Sequence, residues 1–172
     1  MTDQKPLSPF PRARIMDDRR SLPIALLRAR ESVMQYFRPH HRKGGITEQQ
    51  WRVIRVLYLD GEMDAAALAR RSYLLAPSLS RILKDLEAAG YVRRRPGDDD
   101  SRQSLLSLSP KGSATVTGAA PFLDRIHREI ARRFGPDRVD ELLALLGDLE
   151  HALADPPAVS RPVDRKTRRR QQ

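Results

Sequence analysis

Ser78, Ser80, Arg81 and Lys84 lie opposite a stripe made of Leu79, Ile82, Leu83 and Leu86. The stripe has the i, i+3, i+4, i+7 spacing of one buried helical face. The spacing predicts a helix opening with Pro77 at its first position, with Ala76 before it as a weak N-cap. A weak cap leaves an orphan amide that can meet a phosphate. The other side of this helix carries only hydroxyls and cations. Hydroxyls and Lys84 suit phosphate oxygens, and Arg81 suits a guanine edge or a phosphate. An ordinary solvated helix face has the same composition, so the flanking elements decide between the two.

Those elements form a pattern. Met63 reads as a strand of one or two residues, and Asp64 as the N-cap of a short helix over Ala65–Arg71. Gly90 is a C′ stop for the helix that follows. Tyr91–Arg95 and Ser104–Ser109 then read as two strands joined by the charged loop Asp98–Arg102. Arg93 and Arg95 share one face of the first strand, and Arg94 takes the other. Short helix, tight turn, second helix and a strand pair predict a winged helix-turn-helix spanning residues 47–111.

The remaining helices lie outside that unit. Ser21 and Pro23 open one that should end near His40, before Gly44-Gly45. Its apolar seam is Leu22, Leu26, Ala29, Val33 and Phe37. Thr47 and Gln50 form a capping box for a helix whose apolar face holds Trp51, Val53, Ile54, Leu57 and Tyr58, and which Asp60-Gly61 ends. Ser109-Pro110 starts a long helix that Gly118 and Pro121 should kink. Gly135-Pro136-Asp137 reads as a turn. The last helix carries Val139, Leu142, Leu146, Leu149 and Leu153 in steps of three and four. Residues 21–46 and 112–154 thus read as dimerisation helices, with Leu22, Leu26, Leu142, Leu146 and Leu149 as seam residues. Residues 1–20 read as a flexible arm, and 155–172 as a disordered basic tail. The fold class is mainly α (α+β): a winged helix-turn-helix with long N- and C-terminal dimerisation helices.

Composition bounds the partners. The 172 residues carry a formal net charge of +10 and no cysteine. The charge favours a polyanion, and double-stranded DNA suits it better than a membrane, because no basic face carries exposed aromatics. There is no disulfide framework, no thiolate nucleophile and no Cys-based zinc site. No apolar run is long enough to span a bilayer, and the N-terminus lacks a secretory core, so the expected location is the cytoplasm. The four histidines have no ligand spacing that fixes a metal. No phosphate-loop, dinucleotide or nucleophile-elbow pattern occurs, so neither an enzyme nor a cofactor is expected.

The order of helices and wing resembles the MarR family of transcriptional regulators. Asp100-Ser101-Arg102, followed by Leu106-Ser107-Leu108-Ser109-Pro110-Lys111-Gly112, is similar to that family's wing signature, with Ser109 where Thr is usual. Ser21–Glu31, Met34, Phe37-Arg38-Pro39 and Thr47–Arg55 resemble the branch that regulates homoprotocatechuate (4-hydroxyphenylacetate) degradation. The resemblance implies that Arg102 enters the minor groove, with Asp100 holding its guanidinium. It also implies a homodimer on a pseudo-palindromic operator, with recognition helices about one DNA turn, ~34–36 Å, apart. Arg30, Met34, Trp51 and Arg52 have the chemistry of a pocket for a small aromatic acid: a ring wall, a pliable thioether and guanidinium groups. The whole reads as a repressor released by such an acid. The alternative is an effector-independent, nonspecific or architectural nucleic-acid-binding protein.

Overall fold

Six α-helices and three β-strands lie within the described residues, 21–97 and 104–154, of the computed structural model. The expected arm and basic tail, and the wing tip with Asp100 and Arg102, lie outside them. The helices are α1 (Leu22–Gly44), α2 (Glu48–Asp60), α3 (Ala65–Arg71), α4 (Ala76–Ala88), α5 (Pro110–Phe134) and α6 (Pro136–Ala152), the first four being two pairs around the short strand β1 (Met63–Asp64).

 The other strands are β2 (Val92–Pro96) and β3 (Ser104–Leu108). The residues divide into two compact units between Glu129 and Ile130.

In the first unit, the sheet order is β1-β3-β2, antiparallel throughout. Leu106, fully buried at the centre of β3, pairs with Met63 on one side and Arg94 on the other. The α4 stripe of Leu79, Ile82, Leu83 and Leu86 is buried as its spacing requires, in one core with Val53, Ile54, Leu57 and Leu68. Each such side chain contributes about 1.5–3 kcal/mol by leaving water. The core therefore fixes α4 against α2, α3 and the sheet, and so aims its outer face.

Caps set the helix starts. The Thr47 hydroxyl accepts the Gln50 amide hydrogen at 3.2 Å, and the Gln50 side chain accepts that of Thr47 at 2.9 Å. Asp64 accepts the Ala67 amide hydrogen at 2.7 Å. Ser109 accepts the Gly112 amide hydrogen at 3.0 Å and donates its own proton to the Gly90 carbonyl at 2.6 Å. One hydroxyl thus caps α5 and ties it to the end of α4.

Three boundaries differ from expectation, each at a proline. The first helix continues past Pro39 to Gly44, where Gly45 takes the left-handed conformation at φ 65°. Pro39 removes one backbone donor, but His41 beyond it is buried and His40 stacks on Phe122 at 4.2 Å, which holds the extra turn. Helix α4 starts at Ala76, with Leu75 as its N-cap, one residue earlier than expected. Gly135 alone separates α5 from α6, so Pro136 and Asp137 belong to a helix rather than a turn. Proline fits a first helical turn because no amide is needed there. The assigned helix α5 runs unbroken through Gly118 and Pro121.

Gly112 marks a close approach that no side chain tolerates. A Cβ there would lie 2.4 Å from the Tyr91 carbonyl oxygen and 3.0 Å from a Leu108 methyl. Gly112→Ala should therefore force the α5 start away from the wing base, at a cost of about 1–3 kcal/mol. Thermal unfolding of the variant measures this, and an unchanged Tm would contradict the packing.

Candidate DNA-reading face and ligand cleft

The outer side of α4 carries exposed Pro77, Ser80, Arg81 and Lys84, with Ser78 half-buried. Ser80 donates its hydroxyl proton to the Ala76 carbonyl at 3.0 Å, which leaves its oxygen lone pairs open to a donor. Arg81 and Lys84 form no ion pair with a described residue. The α4 face therefore offers, from one rigid element, a hydroxyl and two cations without an ion pair among the described residues.

The arginine run on β2 divides by face, as alternation requires. Arg94 shares the side of buried Val92, and its guanidinium donates to Glu87 of α4 at 2.7 and 3.0 Å. Arg95 donates to Glu62 at 3.0 and 3.1 Å. Arg93 and Arg95 lie on the opposite side, and Arg93 forms no ion pair with a described residue. Both bonded arginines brace the wing: Arg94 against α4, Arg95 against the residue before β1. At the wing base, Lys111 donates to the Ala89 carbonyl at 2.6 Å and lies 4.4 Å from the centre of the Tyr91 ring. A cation at the C-terminal end of α4 also complements the helix dipole.

Arg30, Met34, Trp51 and Arg52 meet around one cleft of about 360 Å³. Phe37, Glu48, Arg55 and His127 complete its chemically distinct walls. Trp51 serves both core and cleft: it is nearly buried, packs in the hydrophobic core, and still edges the cavity. His41 lies 5.9 Å from the Trp51 ring, and Phe37 lies 5.9 Å from the His127 ring. The floor is therefore aromatic, contributed by α1, α2 and α5.

The charges are less simple than a pair of open guanidinium groups. Glu48 pairs directly with Arg30 and lies 3.9 Å from Arg52. Arg52 also donates to the Ser72 carbonyl at 3.2 Å. Burial, then the neighbouring Arg30, holds Arg52 below the ordinary guanidinium pKa. Arg55 lines the cleft and forms no ion pair with a described residue. Arg38 is turned to Glu31 and borders an adjacent hollow instead. Glu48 had one legible signal, its i, i+4 spacing to Arg52. Phe37, His41 and His127 had none that separates a cleft wall from a helix seam.

Burial, and then the charge of His40, lowers the His41 pKa from its ordinary 6.5. The unfolded chain takes up this proton first as pH falls. The stability contribution is fully present above 6.5 and is lost as pH falls from there through the lower folded value. Tm should accordingly drop on acidification through this range, and His41→Asn should flatten that slope. An equal slope in both proteins would contradict the burial of the imidazole.

The MarR family pattern matches residues 44–103. The homoprotocatechuate degradative operon repressor of Escherichia coli is 40% identical over 126 residues, covering 73% of this chain and 85% of the repressor. The chain belongs to the MarR family. This MarR-family chain is a winged helix-turn-helix transcriptional regulator. Many solved structures share its fold, among them the following two. Transcriptional regulator PA4135 is 39% identical, with a TM-score of 0.74 over 76% of this chain and 96% of that one. NadR, solved in complex with 4-hydroxyphenylacetate, is 36% identical, with a TM-score of 0.68 over 75% of this chain and 92% of that one. Among the described residues of this MarR-family regulator, no helix is long and apolar enough to cross a membrane.

Proposed function

We propose that this regulator is a homodimeric, sequence-specific repressor of an aromatic-acid catabolic operon, released from DNA by a small phenolic or aromatic carboxylate. The cleft carries this reading. Its aromatic floor suits a ring, and Arg30, Arg52 and Arg55 supply donors for a carboxylate. The names of the similar repressor and of the NadR complex support the same ligand class. Residues 47–111 serve as the DNA-binding domain, and residues 21–46 and 112–154 supply the dimer helices. Pro77, Ser78, Ser80, Arg81, Lys84, Arg93 and Arg95 face DNA, with Asp100 and Arg102 at the wing tip. The protein acts in the cytoplasm, with the arm and basic tail as appendages.

A bound acid favours whichever spacing of the two reading heads it binds more tightly, and shifts the equilibrium only by that difference. Repression ends when the favoured spacing fits the operator poorly. The net charge of +10 favours a second reading, nonspecific binding to any nucleic acid.

Selection from a random duplex library, followed by competition with unselected DNA, separates these readings. The repressor should prefer its selected site by several orders of magnitude, which is the range of specific DNA binders. Arg81→Ala should cost about 1–3 kcal/mol on that site and relax preference at one base per half-site. Equal losses on selected and random DNA would favour the nonspecific reading.

A further inference from the structure

Leu75 is the most exposed large hydrophobic side chain among the described residues, at 78%. Its position is unusual as well as its exposure. It is the N-cap of α4, where Ser, Thr, Asp or Asn would normally bond an open amide, and it makes no such bond. Leucine there forgoes a cap and gains no core contact. The exposed leucines of α1 and α6 fall on helical stripes, whereas Leu75 precedes a helix and belongs to none. Ala76 and Pro77 beside it are exposed too. The leading end of α4 is thus an apolar tip, followed within three turns by Arg81 and Lys84.

Cations beside an apolar tip match the major groove of DNA. Phosphates border that groove, and its one apolar base-edge group is the 5-methyl of thymine. In helix-turn-helix proteins the first residues of the recognition helix are those that meet base edges. We infer that Leu75 reads a thymine 5-methyl group, with Ala76 and Pro77 extending the apolar contact. Each operator half-site then carries a thymine near the base met by Arg81. The inference rests on the DNA-reading role of α4 proposed above and assigns the specificity of its tip.

The test replaces each thymine of the selected duplex, one at a time, with deoxyuridine, which lacks only the methyl. For the full-length protein, one or two positions per half-site should lose about fourfold in affinity, the equivalent of one buried methyl-sized group. Leu75→Ala should bind thymine and uracil at those positions equally. Leu75→Ser should do the same while raising Tm, because serine supplies the missing cap. A merely structural role for Leu75 would not make stability and base discrimination move in opposite directions. Loss under twofold at every thymine, or a uracil penalty that survives in Leu75→Ala, overturns the inference and leaves the repressor reading standing. Failure of the library to yield any preferred sequence overturns both.

Discussion

Leu146→Asp should yield monomer or aggregate that no longer retards operator DNA. Helix α6 has no buried residue in the single chain, which leaves Leu142 at 44% and Leu146 at 37% exposure, with Leu149 half-buried. Leu22 and Leu26 of α1 are exposed in the same way. Amphipathic stripes of this length need a partner, which in the proposed homodimer is a second copy. Each leucine buried there is worth about 1.5–3 kcal/mol, and two-fold symmetry counts every one twice. An aspartate in that seam is a charge without a partner, so it removes the burial and adds a desolvation cost. One reading head retains only half of a two-fold site. Sedimentation reports the mass, and an electrophoretic shift reports DNA binding. A folded Leu146→Asp dimer that still retards operator DNA would contradict the dimer assignment.

Arg30→Ala should abolish effector response while leaving DNA affinity close to wild type. Removing Arg30 takes away a donor and also releases Glu48, its direct ion-pair partner, into the cleft. A bare carboxylate there repels an anionic ligand. Loss of one charge-assisted hydrogen bond costs about 1.5–3 kcal/mol, or roughly ten- to a hundredfold in effector affinity, before that repulsion is added. Arg52→Ala should show the same direction with a smaller effect, since its guanidinium is partly engaged by the Ser72 carbonyl. Arg55→Ala removes the cleft guanidinium that has no ion pair with a described residue. The three variants separate effector binding from DNA binding when release is titrated on the intact complex. Wild-type response in both Arg30→Ala and Arg52→Ala would contradict the cleft assignment.

Local signals in the sequence were enough for most of the fold. The stripe from Leu79 to Leu86 specifies both a helix and its buried side, and Thr47 with Gln50 or Asp64 marks a start by chemistry that acts within three residues. Proline was the misleading signal. Pro39, Pro77 and Pro136 each punctuate the chain locally, yet the boundary around each is decided by capping or by packing further off. The arginine pairs show the same limit. Arg95 meets Glu62 thirty-three residues away in sequence, and Arg94 meets Glu87 across an element boundary. Residue type alone marks an arginine as a candidate for DNA, and only the fold reveals that Arg94 and Arg95 also brace the wing. In the cleft, Arg30, Met34, Trp51 and Arg52 were legible as chemistry. Glu48 was legible only as an i, i+4 partner of Arg52, because its pairing with Arg30 depends on α1 lying against α2.

The most direct measurement titrates 4-hydroxyphenylacetate into the full-length protein bound to its selected duplex, following DNA anisotropy and tryptophan fluorescence together. The chain has one tryptophan, Trp51, so the fluorescence reports the cleft alone. DNA release in step with quenching, at the same midpoint, is the result expected of a repressor whose cleft and reading heads are coupled. Full retention of DNA with unchanged fluorescence, across a panel of phenolic and aromatic acids, would contradict that coupling.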